Sequence, residues 1–381
     1  MQSYKKLNNI IGWLVFAVAS IVYIITTEPT ASFWDCGEYI ATAYKLQVGH
    51  PPGAPLFQML GRFFSLFAFG DTSKVALMVN YMSALSSSFT ILFLFWTLTM
   101  LAKKLVSRSG EMTEGKMYAV FGSGLVGALA YTFSDSFWFS ATEGEVYAMS
   151  SFFTALVFWA ILKWDENADE EHSFRWLIFI AYMMGLSIGV HLLNLLAIPA
   201  ITFVYYFRRY KNPDKKGMLI SFIISIVLVG LIMNGIIPNI VKFAGYFELL
   251  FVNVFGLPFN IGTIVYFIIL VGGIFWGIRY TRKNQKAVLN TVLWGFTFIL
   301  IGYSSFFLLV IRSNANTPIN ENSPKDAISM LSYLNREQYG DWPVLYGQYF
   351  NAEVVERKDG KPVYRKDTDK GKYIVIDDKK G

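Results

Sequence analysis

The chain has 381 residues, of which 54% are hydrophobic, 17% aromatic and only 16% charged, with a net charge of +6. A soluble domain of this length carries roughly a quarter charged residues, so the composition excludes a single water-facing globule and puts the chain in the membrane class. Its one cysteine, Cys36, excludes an intrachain disulfide and argues against a cysteine-rich metal site.

A helix needs about 20 apolar residues to cross a bilayer. Nine runs are candidate spans: 10–26, 75–101, 117–133, 146–162, 176–190, 192–207, 218–237, 261–278 and 288–311. The first lacks a small-x-small cleavage site after it and reads as a retained helix. The fifth and sixth are short, nearly abut at His191 and read either as one tight helical pair or as a partly buried excursion. "GSGLVG" at 122–127 lies within a span, where small residues allow close helix contact. None of the nine runs contains Asp, Glu, Lys or Arg.

Basic residues collect in alternate connections: Lys5 and Lys6, then Lys103, Lys104, Arg108 and Lys116, then Lys163 and Arg175, then Arg208 to Lys216, then Arg279 to Lys286. The other set holds only Lys45, Arg62, Lys74 and Lys242. That asymmetry puts the N-terminus in the cytoplasm and puts 27–74, 134–145, the His191 corner and 238–260 on the far side. "DENADEEH" at 165–172 is then a solvated cytoplasmic loop. With nine spans, the tail from Arg312 is also on the far side. In that tail "SPKDAISMLSYLNREQYG" reads as a helix with Ser323 as N-cap and Pro324 at its first position. "WPVLYGQ" and "KYIVIDD" read as strands and "KDGKP" as a turn. About 70 residues with few apolar anchors make a weak core of their own, so the tail is read as truncated or as docked on the membrane part.

Because the spans are uncharged, chemistry is expected on their far-side lip, where three stretches compete. The first is "SFWDCGEYIATAYKLQVGHPPGAPLF". Asp35 and Glu38 are three apart, hence on one helix face, with Phe33, Trp34 and Tyr39 around them. Pro51 and Pro52 remove backbone donors and Gly49 and Gly53 permit tight approaches, a rigid bend that brings His50 toward the acids. The structural alternative is that Ser32-x-x-Asp35 is only a helix capping box. The second stretch is "SDSFWFSATEGEVYAM", with Glu143, Glu145, Trp138 and Tyr147; Thr142-x-x-Glu145 is again a candidate capping box. Glu143 is a second acid, a substrate contact or a metal ligand, and its oxygens suit Mg²⁺ or Mn²⁺. The third is "GVHLLNLLAIP", with His191 and Asn194 either as core residues or on the same lip. Arg312, the last charge before the tail, either snorkels or holds a phosphate. No phosphate-binding loop, dinucleotide fingerprint or zinc spacing is present, and the basic loops are explained by orientation, so nucleic acid is not expected as a partner.

"FWDCGEYIATAYKLQVGHPPGAP", "FWFSATEGEVYAM", "GVHLLNLLAIP" and "INENSPKDAISMLSYLNREQYGDWPVLYG" resemble a bacterial family known only as a domain of unknown function, related to the eukaryotic transmembrane protein O-mannosyltransferases and, with them, to the GT-C glycosyltransferases. The resemblance implies an all-α polytopic fold: a GT-C-like bundle (1–312) of about nine transmembrane helices, a helical first external loop (27–74) and a small α+β tail (313–381). It implies a bacterial inner-membrane location with a periplasmic active site. The reaction it implies moves a sugar, with mannose as the candidate, from a polyprenyl-phosphate carrier to a protein or glycan hydroxyl, inverting the anomeric centre.

Asp35 then matches the family's first-loop base, with Glu38 as its rival in the same motif. Arg312, Lys45 and His191 are expected to stabilise the departing phosphate. Trp34, Trp138 and Tyr147 are expected to stack on sugar, and His50, Glu143, Glu145 and Asn194 to contact substrate. No cofactor is required by this scheme, although a divalent metal fits it. The rival class is a transporter or flippase for a lipid-linked sugar, which needs a midplane site and repeat symmetry that the sequence does not display. A membrane scaffold whose tail binds partners is the third reading.

Overall fold

Hydrocarbon offers no partner to a free peptide group, so an apolar run must close its own hydrogen bonds, and these runs become helices. The computed structural model describes residues 2–108, 110–340, 346, 347, 349–353 and 359–380. In order the helices are α1 (Gln2–Ile25), α2 (Cys36–Lys45), α3 (Pro55–Ser65), α4 (Val75–Ser107), α5 (Glu114–Thr132), α6 (Asp135–Ala141), α7 (Val146–Glu166) and α8 (Phe174–Ile188). They continue with α9 (Ile198–Arg209), α10 (Lys215–Gly230), α11 (Ile237–Leu249), α12 (Ile261–Lys283), α13 (Ala287–Tyr303), α14 (Phe307–Asn314) and α15 (Ala327–Leu334). A hairpin of β1 (Asp359–Asp367) and β2 (Lys372–Lys380) follows.

Among the described residues six helices are long and apolar enough to cross a membrane, or seven if α5 and α6, bent by 67°, form one span. Nine such helices, as expected from the sequence, are not found among the described residues. The 176–190 run yields only the 15 residues of α8. The 192–207 run is split into a 3-10 turn, Leu192–Ala197, and the 12-residue α9, which starts at Ile198 and carries Pro199 in its first turn, where proline is tolerated as it is not in a helix interior. The 238–260 connection is largely helical, since Lys215–Val254 runs on for 40 residues through two π-helical stretches. At 1.5 Å per residue that is about 60 Å, roughly twice the hydrocarbon thickness. The helix is therefore longer than one crossing needs.

α4 and α7 form the centre, each 56% buried along its span, whereas α12 is 11% buried and presents its apolar surface outward. Close crossings rely on glycine. A Cβ at Gly302 would lie 2.3 Å from the Leu186 nitrogen, which lets α13 meet α8 backbone to backbone. In "GSGLVG", Gly124 and Gly127 face Thr99, Phe95 and Leu98 of α4, as close helix contact requires.

The tail is tied to the membrane part. Val48 and Asn320 form a parallel bridge, with Val48 N–H donating to the Ile319 carbonyl and Glu321 N–H to the Val48 carbonyl. α15 starts later than expected: its cap is Asp326, which forms a capping box with Ser329, because Asn322 and Ser323 turn through positive φ and cannot cap. "KYIVIDD" falls in β2 as read. The 359–362 part of the expected turn is instead strand, and the reversal comes at 368–371, where Asp367 accepts from the N–H groups of Asp369 and Lys370 and Gly371 takes φ +64. The strand expected over 342–348 lies mostly outside the described residues. The hairpin docks through Tyr373, whose N–H and carbonyl both pair with the Asn253 side chain.

Candidate functional site

The segment 27–74 folds back on itself around α2. Trp34, at φ +58 and 89% exposed, turns the chain into the helix, and Asp35 takes the N-cap position. Its side chain makes no cap hydrogen bond, so the Ser32–Asp35 capping box does not form and the Asp35 carboxylate is left half exposed. One turn on, both oxygens of Glu38 are used. Oε1 accepts from the His50 main-chain N–H at 2.6 Å, and Oε2 lies 3.1 Å from His50 Nδ1. The hydrogen bond from the ring holds Glu38 below the usual carboxylate range and, in return, pushes the His50 imidazole up, against the opposing effect of burial on each. With Nδ1–H committed to Glu38, Nε2 faces Asp35 Oδ2 at 3.8 Å.

Two glycines make this bend possible. A Cβ at Gly49 would meet Glu38 Oε1 at 2.5 Å. Gly53, at φ +76, leaves room for the Tyr333 hydroxyl, which donates to the Gly49 carbonyl at 2.6 Å and reaches the His50 carbonyl at 3.2 Å. The Tyr39 ring packs edge-on to the imidazole at 5.6 Å.

The connection between α6 and α7 lies alongside. Glu143 and Glu145 are 4% and 7% exposed. Glu145 holds the N-cap position of α7 without capping it, and Thr142 turns its hydroxyl to the Phe139 carbonyl, so the second expected capping box is absent too. Burial pushes Glu145 up to about 7, helped by the charges of Glu143 and Asp35 and opposed by His50. Burial also raises Glu143, against a hydrogen bond from Ser32, and its Oε2 is buried without a hydrogen-bond partner. The loop rests on Asn80 of α4, whose amide donates to the Glu28 and Thr30 carbonyls and whose Oδ1 lies 2.7 Å from where a Gly144 Cβ would be.

At the third stretch His191 Nδ1 accepts from the Leu193 N–H and the ring packs against Tyr147 at 5.4 Å. Burial lowers its pKa, so the neutral ring carries its proton on Nε2. Asn194 turns inward and donates to Ser187 Oγ. Trp138 is drawn off to α1, where its indole N–H donates to Thr26. Arg312 and Lys45 lie at the far end of α2, about 15 Å from Asp35 along the helix. Arg312 Nε and a terminal nitrogen donate to the carbonyls of Leu46 and Lys45 and serve the helix's negative end.

The structure thus joins Asp35, Glu38 and His50 in one cluster, sets Glu143 and Glu145 beside it, and leaves Trp138, Lys45 and Arg312 outside. The segments that carry the cluster share one lip: Glu28 N–H bonds the Thr142 carbonyl and Leu56 N–H the Gly189 carbonyl. At the opposite end Lys104 pairs with Asp165, and Arg208 with Asp165 and Asp169, across α4, α7 and α9. Asn80 and Tyr333 are the supports that sequence reasoning missed. A carboxamide side chain, the one Asn or Gln in the 75–101 run, was the available signal for Asn80.

One ligand atom each from Asp35, Glu38 and His50 lies within 4.8 Å of the others. Two carboxylates and an imidazole suit Mn²⁺ better than Mg²⁺, which favours oxygen alone. Glu38 is already spent orienting His50, so Asp35 and Nε2 are the two free donors, with Glu38 behind them.

Near this lip an apolar groove of about 480 Å³ opens between α11, α12 and α13–α14, walled by Ile240, Phe267, Ile301 and Phe307 and roofed by Ala327 and Met330 of α15. Lys325 and Asn260 stand at its polar end.

The family described as the protein O-mannosyl-transferase TMEM260 N-terminal domain matches residues 35–214, and a family of unknown function matches 340–381. The chain is 28% identical over 227 residues to a protein named protein O-mannosyl-transferase tmem260 from Dictyostelium discoideum, covering 57% of this chain and 26% of that one. It is 26% identical over 228 residues to protein O-mannosyl-transferase TMEM260 of Mus musculus, covering 59% and 29%. The chain is therefore related to the eukaryotic transmembrane protein O-mannosyltransferases, and the match spans less than a third of either relative's length. The matched stretch opens on Asp35 and takes in Glu38, His50, Glu143, Glu145 and His191.

Proposed function

We propose that the chain is a membrane glycosyltransferase of GT-C type that moves a sugar, mannose first among candidates, from a polyprenyl-phosphate carrier to a hydroxyl, Ser or Thr of a protein, on the extracytoplasmic side of a bacterial inner membrane. The observation that carries this reading is the free Asp35 carboxylate beside an oriented Glu38–His50 pair, at the start of the stretch shared with the named mannosyltransferases. The membrane part, 1–312, supplies the reacting groups and 313–381 supports them.

Asp35 is the base. It is the half-exposed acid of the cluster with no cap to make, whereas both oxygens of Glu38 are occupied. Asp35 takes the proton of the acceptor hydroxyl as that oxygen attacks the anomeric carbon. The bond from that carbon to the lipid phosphate breaks on the opposite face, so the centre inverts and the phosphate leaves with the electron pair. His50 in its protonated form and the Nε2–H of His191 offset the charge that develops there. Trp34 and Tyr147 offer exposed aromatic faces to the sugar. The apolar groove takes the isoprenoid chain, and its volume falls in the usual range for ligand pockets, about 300–1,000 Å³.

The test is direct. The full chain in lipid nanodiscs is given polyprenyl-phosphate mannose and a Ser/Thr-rich peptide, and the peptide is weighed. A gain of one hexose, absent when a nucleotide sugar replaces the lipid donor, is expected. Transfer from the nucleotide sugar, or lipid translocation without transfer, overturns the reading.

A further inference from the structure

The helix that roofs the groove also holds the His50 turn. Ala327 and Met330 of α15 line the groove, while Tyr333, one turn further on and fully buried, donates to the Gly49 carbonyl and reaches that of His50. Between these ends the packing is continuous. Tyr303, Phe306 and Met330, which line the groove, belong to one buried cluster with Leu309, Tyr333 and Val48. Leu309 and the Tyr333 hydroxyl are the two groups nearest to Gly53, in the turn itself. From Asp326 to Tyr333 the helix rises only about 10 Å. Its start is fixed by the Asp326–Ser329 capping box and by Asn314, whose amide donates to the Lys325 carbonyl. A short helix pinned at its start and packed along its length moves as one body.

We propose that Tyr333 is a positioning residue that couples filling of the groove to the acid–imidazole cluster. The isoprenoid chain of the donor packs under Met330 and Ala327 and favours the arrangement in which the Tyr333 hydroxyl holds Gly49 and His50. That keeps Glu38 on the imidazole and Nε2 toward Asp35. The inference rests on the glycosyltransferase reading and adds to it that the donor's chain takes part in assembling the site. A ligand shifts an equilibrium only by its differential affinity for the two states, so a donor too short to reach the α15 roof gains none of this effect.

The test uses the full chain and two mannosyl-phosphate donors, one on a two-isoprene chain and one on an eleven-isoprene chain. For the unmodified protein kcat is higher with the long donor by about 3- to 30-fold, the range of coupling between sites linked by packing. Tyr333→Phe keeps the ring in its cluster and removes the hydroxyl. It lowers kcat with the long donor to the short-donor level and leaves the long-donor KM unchanged. Met330→Ala leaves the hydroxyl in place and also abolishes the chain-length difference. Equal loss on both donors in Tyr333→Phe makes the residue merely structural and overturns the coupling, as does no loss at all. No transfer from either donor by the unmodified protein overturns the enzymatic reading and the coupling with it. Transfer at equal kcat from both donors overturns the coupling alone.

Discussion

The carboxylate of Glu38 grips His50 twice, accepting from its main-chain N–H at 2.6 Å and lying 3.1 Å from its ring Nδ1. The acid's pKa is lowered and the ring's is raised, so the charged pair persists between those two values. It is lost as the pH rises through the His50 value or falls through that of Glu38. Glu38→Gln removes the attraction, and the imidazole then titrates at lower pH. Histidine-labelled protein with His172 and His191 replaced isolates the ring by NMR. An unchanged His50 titration in Glu38→Gln contradicts the pairing.

Asp35→Asn separates chemistry from capping. Asn caps as well as Asp, and no cap bond exists to lose, so stability should stay within about 0.5 kcal/mol. Loss of a general base costs roughly 10²–10⁴ in rate. Sugar transfer and thermal unfolding measured on the same preparation decide the matter, and near-normal transfer removes Asp35 from the base role.

Much of this site was legible in the sequence because charge is rare in the chain and its few polar stretches stand out. Asp35 and Glu38 at helical spacing, and the glycines and prolines around His50, give the bend its shape in advance. Tyr333 was not legible, since 283 residues separate it from the carbonyl of His50 and nothing local marks a buried hydroxyl. Arg312 was read for its charge, while its contacts with two backbone carbonyls depend on how α2 ends. The span count failed where hydropathy sums ran across breaks. Gly189 and Pro199 interrupt one apolar region, and the run at 117–133 ends in a 67° bend between α5 and α6.

Sidedness is checked by labelling. In a Cys36→Ala background, Phe69→Cys lies in the 27–74 segment that carries the cluster, where the native ring is 90% exposed, and Glu171→Cys lies in an exposed loop at the opposite end. A membrane-impermeant maleimide applied to spheroplasts is expected to label the first and to reach the second only after permeabilisation. The reverse pattern places Asp35 in the cytoplasm and defeats the periplasmic mechanism.

Glu145 gives the stability of the fold a pH dependence of definite sign. Its pKa rises from 4.5 to about 7 on folding, chiefly through burial, with Glu143 and Asp35 adding to the rise and His50 opposing it. An acid raised in this way binds its proton more tightly in the folded chain. The stabilisation is therefore fully present below 4.5 and is lost as the pH rises through about 7. Its size is on the order of 3 kcal/mol, taking each unit as worth 1.36 kcal/mol. Glu145→Gln stays neutral throughout. Thermal unfolding of the two proteins should coincide near pH 4 and diverge above pH 7, with the variant the more stable. Parallel curves across that window mean that Glu145 has the same pKa in the folded and the unfolded chain and that its burial is offset by a partner.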